Sequence, residues 1–305
     1  MAIKIGFIVP TMNRPKELNR LLQSLYKQTV APSCIIIVDG SQHPINDQIV
    51  RHSGIPLIYN HCYPPSLTKQ RNVGIGLIPD DVDFIGYLDD DLLLLPDALE
   101  QMQAFIAKHG AGIGGASFNI VDEGIKDSTL GFNLKRHLGV YSSGLGNISK
   151  GGSIIPQINL AQNLRTDWLC GGATVWNCHV LKTHRFDEWY KGYALWEDID
   201  FSFRVGKEWD FYVVAGAKVK HLHVGRSDIQ SMLKLGDLEV VDRFYFVKKH
   251  RPRFRILSAT WAVFGTMIWN FQYALRHRSR ASFARVLANF KALLRCLFVR
   301  IERVQ

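Results

Sequence analysis

Through its first third the chain alternates short apolar runs with segments whose apolar positions recur every three to four residues. "IKIGFIVP" predicts a buried strand. "PKELNRLLQSLYKQ" predicts a helix with Leu18, Leu21, Leu22 and Leu25 on one face and Pro15 in its first turn. Strands are expected at "CIIIVDG", "PLIYN" and "DFIGYLD", with helices over "SLTKQRNVGIGLI" and "PDALEQMQAFIAKH". This alternation predicts an α/β fold whose mostly parallel sheet is covered by helices on both faces.

From Ser117 to Asp167 the pattern weakens, and "YSSGLGNISKGGS" reads as a loop, either a substrate gate or a surface insertion. Order resumes at "DWLCGGATVWNCHVLKTHRFDE", "WEDIDFSFRVGKE" and the strand "DFYVVAGAKVKHLHVG". The expected division is an α/β domain over 1–250 and a basic amphipathic helical region over 251–305.

In that last region Ile256 to Leu275 carries no formally charged side chain. The length just suffices to span a bilayer. Polar residues interrupt it, however, Trp261 and Trp269 lie inside it, and arginines flank both ends. "SFARVLANFKALLRCLFVRI" then mixes apolar and basic residues at helical spacing, as a helix lying in a membrane surface does. Peripheral membrane attachment is expected, with a true span and a soluble helical cap or dimer interface as rivals.

Composition changes the picture in two ways. A content of 47% hydrophobic and 21% charged residues excludes a disordered chain. The net charge of +10 would suggest nucleic acid, but from Lys248 onward there are 13 Lys+Arg and one acid, Glu302, so the body is near neutral. The tail suits an anionic membrane surface or a polyanionic partner. The five cysteines form no CxxC pair and no zinc spacing, which favours a reducing compartment. "MAIKIGFIVP" lacks the features of a secretory signal, so a cytoplasmic-facing protein is expected.

Candidate chemistry collects at the predicted carboxyl ends of strands. Asp89, Asp90 and Asp91 follow "FIGYL"; in an extended chain Asp89 and Asp91 would point the same way and hold Mg²⁺ or Mn²⁺. The plain alternative is a solvated turn leading into a helix. "VPTMNRP" places Thr11, Asn13 and Arg14, and "VDGSQ" places Asp39, on the same edge, where an Asp meets ribose or base and an Arg meets phosphate. Lys69 and Arg71 are either solvated face residues or diphosphate contacts. Glu197 and Asp198 either complement a helix N-terminus or supply a general base beside Trp196, on which a sugar could stack. Trp168 and "CGGA", with Gly171 and Gly172, offer another wall. His221 and His223 share one side of a strand and are either structural or metal ligands. No GxGxxG or P-loop is present.

Six segments in order, "IVPTMNRPKEL", "IIIVDGSQ", "KQRNVGI", "GYLDDDLLLLPDAL", "CGGATVWNCHVL" through "WEDIDFSFRV", and "VVAGAKVKHLHVG", resemble the family 2 glycosyltransferases. These are inverting enzymes of the GT-A fold that use nucleotide-diphosphate sugars. The resemblance implies nucleotide-sugar contacts at Pro10, Thr11, Asn13, Arg14, Asp39, Lys69, Arg71, Asp89 and Asp90. It implies a divalent cation, Mn²⁺ or Mg²⁺, on Asp89 and Asp91 with His221 or His223. Asp198 matches the catalytic base, Glu197 would orient the acceptor, and Trp168, Gly171, Gly172 and Trp196 would line the acceptor side.

The function expected is transfer of a sugar to a hydroxyl of a saccharide or lipid-linked acceptor at the cytoplasmic face of a membrane. A nucleotidylyltransferase is the nearest rival, but "VPTMNRPKEL" lacks its Gly-rich loop. A non-catalytic sugar- or nucleic-acid-binding module is the other.

Overall fold

Every residue of β1 (Ile5–Thr11) and β2 (Ile35–Asp39) is buried, because the two faces of these strands fill two separate cores. Ile5, Phe7, Val9, Ile35 and Ile37 pack with Leu18, Leu21, Leu22 and Leu25 of α1 (Pro15–Tyr26). Ile8, Ile36 and Val38 turn the other way, into a cluster with Tyr87, Trp176 and Phe201. Alternation along a strand buried on both sides produces near-continuous apolar runs. The computed structural model describes residues 3–122, 140–222, 228–299 and 301.

The remaining elements of this part are β3 (Leu57–His61), α2 (Leu67–Ile75), β4 (Phe84–Leu88), β5 (Leu92–Leu94), α3 (Ala98–His109), β6 (Ile113–Val121), β7 (Leu164–Thr166), β8 (Ala173–Asn177), α4 (Cys178–Thr183), α5 (Glu197–Val205) and β9 (Asp210–His221). The strands form one sheet in the order β3-β2-β1-β4-β8-β6-β9-β5, with β7 also on β9. It is parallel through β3, β2, β1 and β4. β8 then inserts antiparallel between β4 and β6, and β6 pairs parallel with β9. The carboxyl ends of β1 and β4, and the turn that leads into β8, thus meet at one edge.

The stretch from Ser117 to Asp167, expected to be irregular, contributes Ser117–Val121 to β6 and all of β7. Residues 140–163 form turns and extended chain, while 123–139 lie outside the described residues.

The chain forms two compact units. One is Met1–Gly124 with Gln157–His223, which carries the sheet; the other is Ile125–Pro156 with Val224–Gln305. The second contains α6 (Ile229–Lys249), α7 (Ile256–Arg276) and α8 (Arg280–Phe298). Asp228 caps α6 by accepting from Ser231 N, and Ser279 caps α8 by accepting from Ser282 N. Arg295 pairs with Asp237 at 2.7 Å and Arg285 Nε with Glu239 at 3.0 Å, tying α8 to α6. Buried Asn289 donates to Gly236 O at 2.7 Å and accepts from Asn270, so all three helices share one polar contact. Among the described residues no helix is long and apolar enough to cross a membrane.

Candidate active site

The acids after β4 do not stay extended. Leu92 N donates back to Asp89 O at 3.3 Å, closing a turn that sends Asp90 and Asp91 toward Arg14 and Asp89 away from it. Asp90 is buried; its Oδ2 accepts from Thr11 Oγ1 at 2.8 Å, and its Oδ1 meets Arg14 at 2.7 Å. Burial outweighs both contacts and pushes its carboxyl up to about 7. Asp91 lies 3.0 Å from Arg14 and 3.0 Å from His221 Nε2. Burial pushes Asp91 up, but those two partners prevail and hold it at about 2. Asp89, with 45% of its side chain exposed, turns instead toward Arg71, 3.8 Å away. The expectation that Asp89 and Asp91 point together is corrected by this turn.

Arg71 is 1% exposed on α2. Its Nη1 donates to Glu197 Oε1 at 2.9 Å, and the guanidinium lies over the rings of Tyr87 and Phe186, at 5.7 and 5.1 Å. A guanidinium so enclosed has no face left for a diphosphate, so its sequence-based role changes to that of a support. Lys69, two residues before Arg71 on the same helix, is partly exposed and makes no ion pair with a described residue.

Helix α5 begins at Glu197, directly after Trp196, a half-buried residue at φ +65°. A bulky residue in the left-handed region is strained, and such strain collects at functional sites. Asn13, at φ +56°, turns the chain the same way after β1, where its N–H donates to Ser41 Oγ at 2.7 Å. Asp198, a partly exposed residue, accepts from Gly171 N at 3.0 Å and Ile199 N at 2.8 Å. Burial raises the carboxyls of Glu197 and Asp198 above their ordinary range, and for Glu197 the neighbouring Asp198 raises it further. Asp200 pairs with Arg204, four residues on, at 2.9 Å along α5.

Gly171 and Gly172 join these parts. A Cβ on Gly172 would lie 2.0 Å from Asp89 Oδ2, and one on Gly171 2.9 Å from Arg71 Nη1 and 3.0 Å from Asp198 Cβ. Both are buried, so they make room for the acids instead of forming an acceptor wall. Trp168 is only 4% exposed and cannot offer a ring face to a ligand, because it belongs to the packed interior. Asp39 is likewise fully buried. Its carboxylate accepts from Ser41 N, Ile45 N and Tyr59 OH, which shapes the loop after β2. Pro10 and Thr11 are buried at the end of β1. His223 lies outside the described residues.

Tyr59, Tyr87 and Phe186 had no sequence signature: an aromatic residue under a charged one is visible only once distant segments meet. Among the described residues no three His, Cys, Asp or Glu side chains stand together in metal-holding geometry. The donor set nevertheless fits a hard divalent cation in type, since carboxylate oxygens and an imidazole adjoin at Asp91 and His221 with Asp89 exposed nearby.

Residues 7–141 match the family model described as Glycosyl transferase family 2. No curated protein matches the sequence. The fold resembles that of a mannosyltransferase, PcManGT from Pyrobaculum calidifontis, solved with GDP-Man and Mn²⁺: TM-score 0.59, 13% identity, covering 96% of this chain and 88% of that one. It also resembles S. aureus TarS 1-349 in complex with UDP-GlcNAc, with TM-score 0.53, 14% identity and coverage of 99% and 94%. Residues 7–141 thus resemble the glycosyl transferase family 2 model, and the chain carries a GT-A type fold.

Proposed function

We propose that the protein transfers a sugar from a nucleotide-diphosphate donor to an acceptor hydroxyl with inversion at the anomeric carbon. The observation that carries this reading is Asp198: a carboxyl raised by burial and held by two backbone N–H groups beside the acids that follow β4. It takes the proton of the acceptor hydroxyl. The hydroxyl oxygen bonds to the anomeric carbon as the bond to the donor phosphate breaks, and the nucleotide diphosphate leaves with that electron pair. Glu197, held by Arg71, sets the start of α5 and so the reach of Asp198. Trp196 offers an acceptor sugar its half-buried ring.

On the donor side, Asn13 and Arg14, which follow β1, and Lys69 meet the nucleotide, with Pro10 and Thr11 buried behind them. Asp89 and Asp91, with His221 beside Asp91, are the residues that would hold Mn²⁺ or Mg²⁺, a cation that when bound neutralises the diphosphate. The acceptor is a saccharide or a lipid-linked acceptor, and the enzyme works at the cytoplasmic face of a membrane, held there through its C-terminal helices.

The fold relatives bind GDP-Man and UDP-GlcNAc, so a panel of GDP- and UDP-sugars, with and without Mn²⁺ or Mg²⁺, is the direct test. Cation-dependent thermal stabilisation by one donor is expected. Asp198→Asn should keep that stabilisation while transfer falls by about 10²–10⁴. Indifference to every donor and cation would overturn the reading.

A further inference from the structure

Two apolar stripes on neighbouring helices form one exposed surface. On α7, Leu257, Trp261, Phe264, Ile268, Phe271 and Leu275 recur at steps of four and three, and all are exposed. On α8, Phe283, Leu287, Phe290, Leu294 and Leu297 repeat the same steps, also exposed. The stripes join where the rings of Phe271 and Phe283 stand edge to face, centroids 5.7 Å apart. The buried sides carry mostly smaller residues: Ala259, Ala262, Val263 and Ala274 on α7, Ala288, Ala292 and Cys296 on α8, with Leu293 the one large apolar side chain among them. Small side chains inward and bulky apolar ones outward is the reverse of what a water-facing helix pair needs.

Charge identifies what covers this face. No Asp or Glu occurs from Arg243 to Ile301. Exposed Arg251, Arg253 and Arg255 precede α7, and exposed Arg276, Arg278 and Arg280 lie at the turn into α8. These triplets mark the two ends of a helix whose length is about 30 Å by its rise per residue. A second copy would have to bring arginine against arginine around the same face, an arrangement without charge complementarity.

We propose that α7 and α8 together dock in the plane of an anionic bilayer. Their stripes enter the boundary between headgroups and acyl chains, and the two arginine triplets rest on lipid phosphates. The side of α7 opposite its stripe packs against α6 and α8 and includes the buried polar Asn270, and no described helix is long and apolar enough to cross a membrane, so α7 lies along the surface and not across it. The proposal deepens the membrane part of the preceding reading by naming the surface and the lipid. Donor binding is measured without vesicles and docking without donor, so each can fail alone.

The full-length protein is sedimented with phosphatidylcholine vesicles made with or without phosphatidylserine. Binding to the serine-lipid vesicles is expected, at least about tenfold weaker without the anionic lipid and with Arg276→Glu/Arg278→Glu. Phe264→Asp/Ile268→Asp, at exposed positions, should abolish it while circular dichroism stays unchanged. Brominated acyl chains should quench a tryptophan signal that Trp261→Phe/Trp269→Phe removes. Failure of the folded wild-type protein to bind either vesicle overturns the proposal. A dimer in solution that Ile268→Asp converts to monomer, without vesicle binding, would assign the face to a second copy and overturn it equally.

Discussion

Arg71 donates to Glu197 across 2.9 Å, joining α2 to the first residue of α5 over a separation of 126 positions. Both side chains are nearly inaccessible, 1% and 6% exposed, and the guanidinium rests on Tyr87 and Phe186. A buried charge that loses its partner is left without water or counterion. Arg71→Met should therefore cost about 3–5 kcal/mol of stability, and Arg71→Met/Glu197→Met should recover most of it. Urea unfolding measures both. The double variant should still bind the donor, since Arg71 is spent on Glu197; loss of donor binding in a folded double variant would restore a diphosphate role.

Gly172 is tested by a single methyl group. In Gly172→Ala the new Cβ would stand 2.0 Å from Asp89 Oδ2, so Asp89 must move. The expected result is a loss of about 1–3 kcal/mol in stability, with cation-dependent stabilisation by the donor also lost. Gly112→Ala, where nothing lies within 4 Å of the added carbon, is the control and should change neither.

Burial raises Glu197 and Asp198, so the folded protein keeps protons that the unfolded chain has already released. Stability then falls as pH rises from the unfolded carboxylate values, 3.8 and 4.5, through the raised native ones. Each retained proton contributes a slope of about 1.4 kcal/mol per pH unit. Asp90, pushed up to about 7, adds to the same slope between 3.8 and that value. Urea midpoints across this range should show the decline, and Asp198→Asn should flatten it by removing one charge and relieving Glu197.

Asn289 is the shared polar contact of α6, α7 and α8. Asn289→Ala leaves Gly236 O and Asn270 Nδ2 without this partner in a buried setting. A loss of about 1–3 kcal/mol is expected, read as a lower thermal midpoint. Asn289→Asp should be worse, since it removes the Nδ2 donor and adds a carboxylate beside Glu239, whose Oε2 lies 3.2 Å from that nitrogen.

Much of the fold was legible in the residues because it is written in local pattern. The leucine spacing of α1, the doubly buried runs of β1 and β2 and the βα alternation each report their own secondary structure, since periodicity is a property of neighbouring positions. The acids after β4, the Glu197–Asp198 pair and the basic tail were visible for the same reason: their residue types are costly to place without cause.

What local pattern could not convey is how those side chains are spent. Three acids in a row divided between Arg14 and Arg71 because a turn, not an extended strand, follows β4. Arg71 changed from candidate ligand to buried support, Asp39 to the centre of a loop, and Trp168 to interior packing, each through partners remote in sequence. The helical tail read as amphipathic either way. Which side faces outward depends on what the three helices bury against one another, and their packing put the alanines in and the aromatic residues out. Residue type and spacing set the chemistry that was on offer; long-range burial and pairing settled which groups remain free to use it.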